Sequence, residues 1–146
     1  MVYPVLEIAN KLLLKAQETV GGELMSNLKL QKMLYYEQGY HLAKFGSPLF
    51  ADDIEAWMYG PVVPSVYYHF NAFGATGISP EKEEAISLNA LEEKLFDEVY
   101  RAYSPYSAVG LMHMTHEEKP WKSTPVKVGN VISKDKMAKF FKTKLV

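Results

Sequence analysis

Between residues 26 and 70 the spacing of apolar positions changes twice, in SNLKLQKMLYYEQGYHLAKFGSPLFADDIEAWMYGPVVPSVYYHF. Leu28, Leu30, Met33, Leu34, Tyr35, Tyr36, Tyr40, Leu42 and Phe45 surround a helical stretch on more sides than one stripe facing one core would need. Ser26 suits the N-cap and Gly46 the left-handed stop, which gives about five turns. A central helix buried on most sides is predicted. Over 54–58 the period drops to two, with Ile54, Ala56 and Met58 alternating with Glu55, Trp57 and Tyr59, the pattern of a short strand. Gly60-Pro61 predicts a turn, and Pro64 suits the first turn of a helix with Val66, Tyr67 and Phe70 inward.

On either side of this region the pattern is simpler. Val5, Ile8, Ala9, Leu12, Leu13 and Ala16 recur at three-and-four spacing and predict a helix from Pro4 to about Val20, ended by Gly21-Gly22. Residues 71–80, NAFGATGISP, read as an exposed loop, and the charge run at 81–84 reads as solvated surface. Asn89 with Glu92 has capping-box spacing, followed by a stripe of Leu91, Leu95 and Val99 with Phe96 and Tyr103 beside it. Glu92, Glu93, Asp97 and Glu98 are expected to face water, and Pro105 ends the helix. Ser107 predicts a shorter helix through Leu111, Met112 and Met114; Thr115 and Glu118 again have capping-box spacing, but Pro120 permits at most a turn there. Trp121 is expected to anchor that turn, 122–130 to be irregular, and Val131-Ile132 to add a strand. Ser133 caps a last helix with Met137, Phe140 and Phe141 inward. The expected fold is α+β: mostly helical around a central buried helix, with a small antiparallel sheet in which 54–58 pairs with a neighbour such as Val131-Ile132.

Composition narrows the chemistry. The 146 residues are 48% hydrophobic and 13% aromatic with a net charge of -1, a globular balance for one domain. There is no cysteine, which removes disulfides, thiolate nucleophiles and Cys-based metal sites. No apolar run approaches the ~20 residues that span a bilayer, and no basic n-region precedes an apolar stretch, so a cytoplasmic protein is expected. Residues 1–118 hold 8 Lys plus Arg against 16 Asp plus Glu, a net of -8, whereas 119–146 hold 8 Lys against Asp135, a net of +7. A lysine tail neutralises phosphate without reading sequence, and Arg101 is the one arginine available for bidentate base contacts. A solvated or self-complementary face is the simpler reading of that tail.

Catalytic chemistry finds little support. His113 and His116, three apart, have a spacing that places two imidazoles on one metal, but there is no HExxH and no third ligand nearby, so structural histidines are favoured. Glu37 and Glu55 form an acid–base pair only if the fold brings them together. The structural reading has Glu55 accept hydrogen bonds from Lys32 or Tyr36, because an enclosed helix must satisfy Gln31, Lys32, Gln38 and His41. No phosphate loop, dinucleotide fingerprint or nucleophile elbow occurs. No catalytic residue, metal or cofactor is therefore assigned.

The run LKLQKMLYYEQGYHLAKFGSPLF followed by IEAWMYGPVVPSVY, with THEEKPW at 115–121 and VISKDKM at 131–137, closely resembles the Panacea domain. That family comprises bacterial and phage-associated proteins, many of them antitoxins of two-gene toxin–antitoxin systems. The resemblance covers nearly the whole chain, so one domain over 1–146 is expected. It implies a non-enzymatic type II antitoxin that binds the toxin encoded by an adjacent gene and occludes its active site. Alarmone-synthetase-like translation inhibitors are among the toxins it suggests. It also implies one alternative, a proteolytic adaptor that delivers a toxin to a AAA+ protease; a nucleic-acid-binding regulator using the lysine tail is another. Tyr35, Tyr36 and Tyr67 lie inside the shared runs and read as scaffold. Tyr68, His69 and Phe73 lie just outside them, beside the 71–80 loop, and are the expected partner contacts.

Overall fold

The computed structural model describes residues 2–19 and 23–145. Helix α1 spans Val5–Glu18 behind Pro4 and buries the six predicted apolar positions. Its expected end at Val20 and the Gly21-Gly22 stop lie outside the described residues. Helix α2 spans Asn27–Phe45: Ser26 accepts from the Lys29 N–H at 3.3 Å, and Gly46 closes the helix at φ 71°. The helices α4 (Ala90–Tyr103), α5 (Ala108–Glu117) and α7 (Lys134–Lys142) follow, together with the short α3 (Pro64–His69) and α6 (Lys119–Lys122). No described helix is long and apolar enough to cross a membrane.

The packing is organised around α2, which contacts α1, α3, α4, α5, α7 and the second strand. Leu30, Met33, Leu34, Tyr35 and Tyr36 are fully enclosed. Tyr36 stacks on Tyr103 with centroids 3.9 Å apart, and Phe141 of α7 meets Tyr35 edge-on at 5.4 Å. Helix α7 reaches this depth because residue 39 is glycine; a Cβ there would overlap the Phe141 ring.

The polar groups of α2 are enclosed as well, and most are paired. Gln31 receives the Val63 N–H at 2.8 Å and donates to Asn27, which donates to the Tyr67 carbonyl. Gln38 receives the Leu49 N–H at 2.7 Å and donates to the Phe50 carbonyl. His41 Nδ1 lies 2.6 Å from the Ser47 carbonyl and its Nε2 2.7 Å from Glu92 Oε2. Apart from the Gln31–Asn27 bond within α2, each of these fixes a loop or a neighbouring helix to the centre, so these polar groups orient chain as well as avoid the cost of lone burial.

Four expectations need correction. Strand β1 (Glu55–Trp57) pairs antiparallel with β2 (Gly60–Val62), so the turn falls on Met58-Tyr59 and Gly60-Pro61 begins the second strand. Gly60 supplies φ 111° there. Pro61 sits opposite Ala56, whose N–H and C=O bond to Asn130 and Lys127, so its missing donor costs the ladder nothing. Val131 joins this sheet as an isolated bridge to Glu55 rather than as a strand. On α4 the expected roles of Leu91 and Glu92 are exchanged: Leu91 is 65% exposed and Glu92 6%. At about 100° per residue, the line through Phe96, Val99 and Tyr103 runs over position 92 and leaves position 91 to one side. Finally, α5 continues through Glu117, with Thr115 buried inside it and its Oγ1 bonded to the Met112 carbonyl at 2.7 Å, so 115–118 is no capping box. The 71–80 loop is largely exposed as expected, but contains a 3-10 turn at Asn71–Phe73 and buries Ile78.

Candidate functional site

A groove of roughly 620 Å³ opens between the β1–β2 hairpin and the 126–128 segment. Trp57, Met58, Tyr59 and Tyr67 form one wall, Val126, Lys127 and Val128 the other, and Leu28, Asn27 and Gln31 of α2 contribute to the floor. Its rim is unusually apolar for a surface in water: Met58 is 67% exposed, Tyr59 62% and Val128 64%. Trp57, Tyr67 and Tyr68 continue it as an aromatic row, with ring centroids 5.1 to 6.0 Å apart.

The valine wall is fixed in place. Lys127 N–H donates to the Ala56 carbonyl at 2.9 Å, Ala56 N–H to the Asn130 carbonyl at 2.9 Å, and Gly129 N–H to Glu55 Oε1 at 2.7 Å. Across the hairpin, Trp121 Nε1–H donates to the Trp57 carbonyl at 2.9 Å, and the Trp121 ring stacks on His116 at 4.0 Å. Trp121 is thus the expected anchor, and what it holds is the hairpin. The core has no use for Val126 and Val128, yet backbone hydrogen bonds present them to solvent.

Lys32 belongs to the same lining and is fully buried. Among the described residues its ammonium has one partner, the Pro61 carbonyl at 3.3 Å, and burial pushes it down to about 7. Glu118, between α5 and α6, accepts from the Tyr35 and Tyr36 hydroxyls at 3.1 and 3.2 Å; burial pushes its carboxyl up to about 7, against the effect of those bonds. Glu37 is buried, its Oε2 without a partner among the described residues, and burial raises its carboxyl well above the ordinary range. Glu92 is the opposite case: burial works to raise it, but bonds from Tyr3 and His41 hold its carboxyl below the ordinary value.

The imagined pairs are not assembled. Glu37 has Lys15, Asp97 and Lys11 as its charged neighbours, whereas Glu55 accepts from Trp57 Nε1 and Gly129 N–H at the hairpin. Glu55 therefore does not receive Lys32 or Tyr36, which are taken by Pro61 and Glu118. His113 is exposed and His116 lies against Trp121. Among the described residues no three His, Asp or Glu side chains gather as a metal would require. The lysine-rich end folds back: α7 packs on α2, Lys134 meets Asp53 at 3.1 Å and Lys136 donates to the Ser123 carbonyl.

Of the three expected contact residues, Tyr68 is 59% exposed and extends the aromatic row, and Phe73 is exposed on the turn whose neighbours Asn71 and Gly74 line the groove. His69 lies apart from the lining, with Nε2 3.0 Å from both oxygens of Glu81. Met58, Tyr59, Val126, Lys127 and Val128 were not among the expected contacts. Their signal was present as three valines, at 126, 128 and 131, in a stretch otherwise built of turn formers.

Residues 30–122 match the family model described as Antitoxin SocA-like, Panacea domain. The chain belongs to this family. Over 50 residues it is 50% identical to Antitoxin SocA of Caulobacter vibrioides (strain NA1000 / CB15N), an alignment covering 34% of this chain and 27% of that relative. No solved structure matches it. The Panacea match takes in α2 from Leu30 onward, the hairpin and the aromatic row, Tyr68, His69 and Phe73 included, and stops before the valine wall.

Proposed function

We propose that this chain is the antitoxin of a type II toxin–antitoxin system, acting without chemistry of its own by binding the toxin encoded by an adjacent gene. Membership of the SocA-like Panacea family supports the antitoxin role. The carrying observation for direct binding is the exposed apolar face around the groove. Met58, Tyr59, Tyr68 and Val128 stand in water while their neighbours are fixed, Trp57 paired with Gly60 and Lys127 and Gly129 bonded to β1, a preorganised apolar surface of the kind that concentrates binding energy in a few residues. An interface of about 20 residues a side centred here, with Tyr68 and Phe73 at its edge, covers enough of a small toxin to block its active site. Alarmone-synthetase-like translation inhibitors are one such toxin class.

Co-expression of the neighbouring reading frame with this chain tests the proposal, scored by growth and by size exclusion with light scattering. Arrested growth, restored by this chain together with a stable complex, is the expected result. Growth restored without an isolable complex transfers the role to delivery of the toxin to a AAA+ protease, and a harmless neighbour removes the antitoxin reading.

A further inference from the structure

Charge in the groove has one sign. Among its described lining residues Lys127 is the exposed charged group, Lys32 lies fully buried beneath it and is only partly charged near neutrality, and no Asp or Glu takes part. The hairpin's own carboxylate, Glu55, is engaged by Gly129 N–H and Trp57 Nε1–H. This local balance is the reverse of residues 1–118, which carry a net of -8. At roughly 620 Å³ the groove has the size of a small-ligand pocket and admits a short segment, far less than a folded domain presents.

We propose that the groove seats a short acidic, hydrophobic segment of the toxin. Its apolar side chains lie between the Trp57–Tyr59–Tyr67 wall and Val126 and Val128, and its carboxylate meets Lys127. The inference rests on the antitoxin reading and names the chemistry of its anchor: apolar burial supplies affinity, while Lys127 sets orientation and partner choice.

Val128→Glu and Val128→Lys provide the test, because both remove the same exposed methyl groups and differ in sign of charge. Affinity for the purified product of the adjacent reading frame is measured by titration calorimetry, with thermal melts confirming that the variants fold. Val128→Glu and Lys127→Glu are each expected to weaken binding about tenfold or more relative to Val128→Lys, while Leu91→Ser, at an exposed apolar site on α4, stays within about twofold of wild type. If the wild-type complex forms and all groove variants bind like wild type, the groove assignment is overturned and the antitoxin reading stands. If Val128→Lys is the weaker variant, the segment is not acidic and the proposal fails. A wild-type chain that is dimeric alone and made monomeric by Val128→Glu gives the groove to a second copy, which also overturns it. Failure of the wild-type chain to form any complex removes the antitoxin reading itself.

Discussion

Around α2, aromatic and polar side chains are enclosed together and most polar atoms have a partner; at the hairpin, Met58, Tyr59 and Val128 stand in water beside residues whose backbone is bonded to β1 or within the hairpin. The interior spends Gln31, Gln38 and His41 on holding loops and helices to one centre. The groove spends backbone hydrogen bonds on keeping apolar side chains out of the core. Residues whose loss would damage folding are therefore separated from those that carry the binding proposed for the groove, which makes the two regions independently testable.

The largest expected effect lies in the interior. Gly39→Leu forces a side chain into the space of the Phe141 ring and is predicted to destabilise the protein by about 3 kcal/mol in urea melts, with α7 loosened from α2. Helix propensity works the other way, since Gly to Leu in an exposed helix stabilises by somewhat under ~1 kcal/mol. A gain in stability would therefore mean that α7 does not dock against residue 39. An exposed groove change such as Val128→Ser should shift the same melts by no more than about 0.5 kcal/mol.

Lys32 is where the two regions touch, and it sharpens the comparison with an effect of opposite sign. Its buried ammonium has a single partner among the described residues and burial pushes it down to about 7, against an ordinary 10.5, so the folded state holds the proton less firmly than the unfolded chain. Lys32→Met is predicted to stabilise the fold by about 2 kcal/mol at pH 7, because a buried amine with no carboxylate partner is replaced by an apolar chain of similar length. A loss of stability on this substitution would show that the bond to Pro61 outweighs desolvation.

The same division explains what could be read from the sequence. Ser26, Gly46, Asn89, Ser107 and Ser133 act where they were expected to, because a cap is decided by a few adjacent residues. The surplus of apolar positions on α2 correctly announced a helix enclosed on most sides. Leu91 and Glu92 exchange places because helix geometry, not hydrophobicity, decides the buried face, and His41 and Tyr3, distant in sequence, make position 92 habitable for a carboxylate. Gly60-Pro61 was legible as a break but not as the start of a strand, since that depends on where Ala56 directs its backbone bonds. The groove joins residues as far apart along the chain as Asn27 and Val128, and nothing local in 122–130 announces which wall its valines complete.

The smallest effect distinguishes interior from surface by titration alone. The Glu118 carboxyl is pushed up to about 7 from an ordinary 4.5, so between these values the folded state binds more protons than the unfolded chain. Its contribution to stability is fully present below pH 4.5 and is lost as pH rises through 7; Glu37, also raised by burial, acts in the same direction. Lys32 contributes oppositely, with stability that is present above 10.5 and lost as pH falls through 7. Together these buried groups place a trough of stability near neutrality, flanked by gains on either side. Glu118→Gln is predicted to flatten the acid side by about 0.5 kcal/mol per pH unit, partial access of water to Glu118 keeping the change below the full one-proton slope. Lys32→Met flattens the alkaline side. Urea melts at half-unit intervals from pH 4.5 to 10 read both slopes, and a profile that Glu118→Gln leaves unchanged would mean that the two tyrosine hydroxyls hold the carboxylate charged throughout.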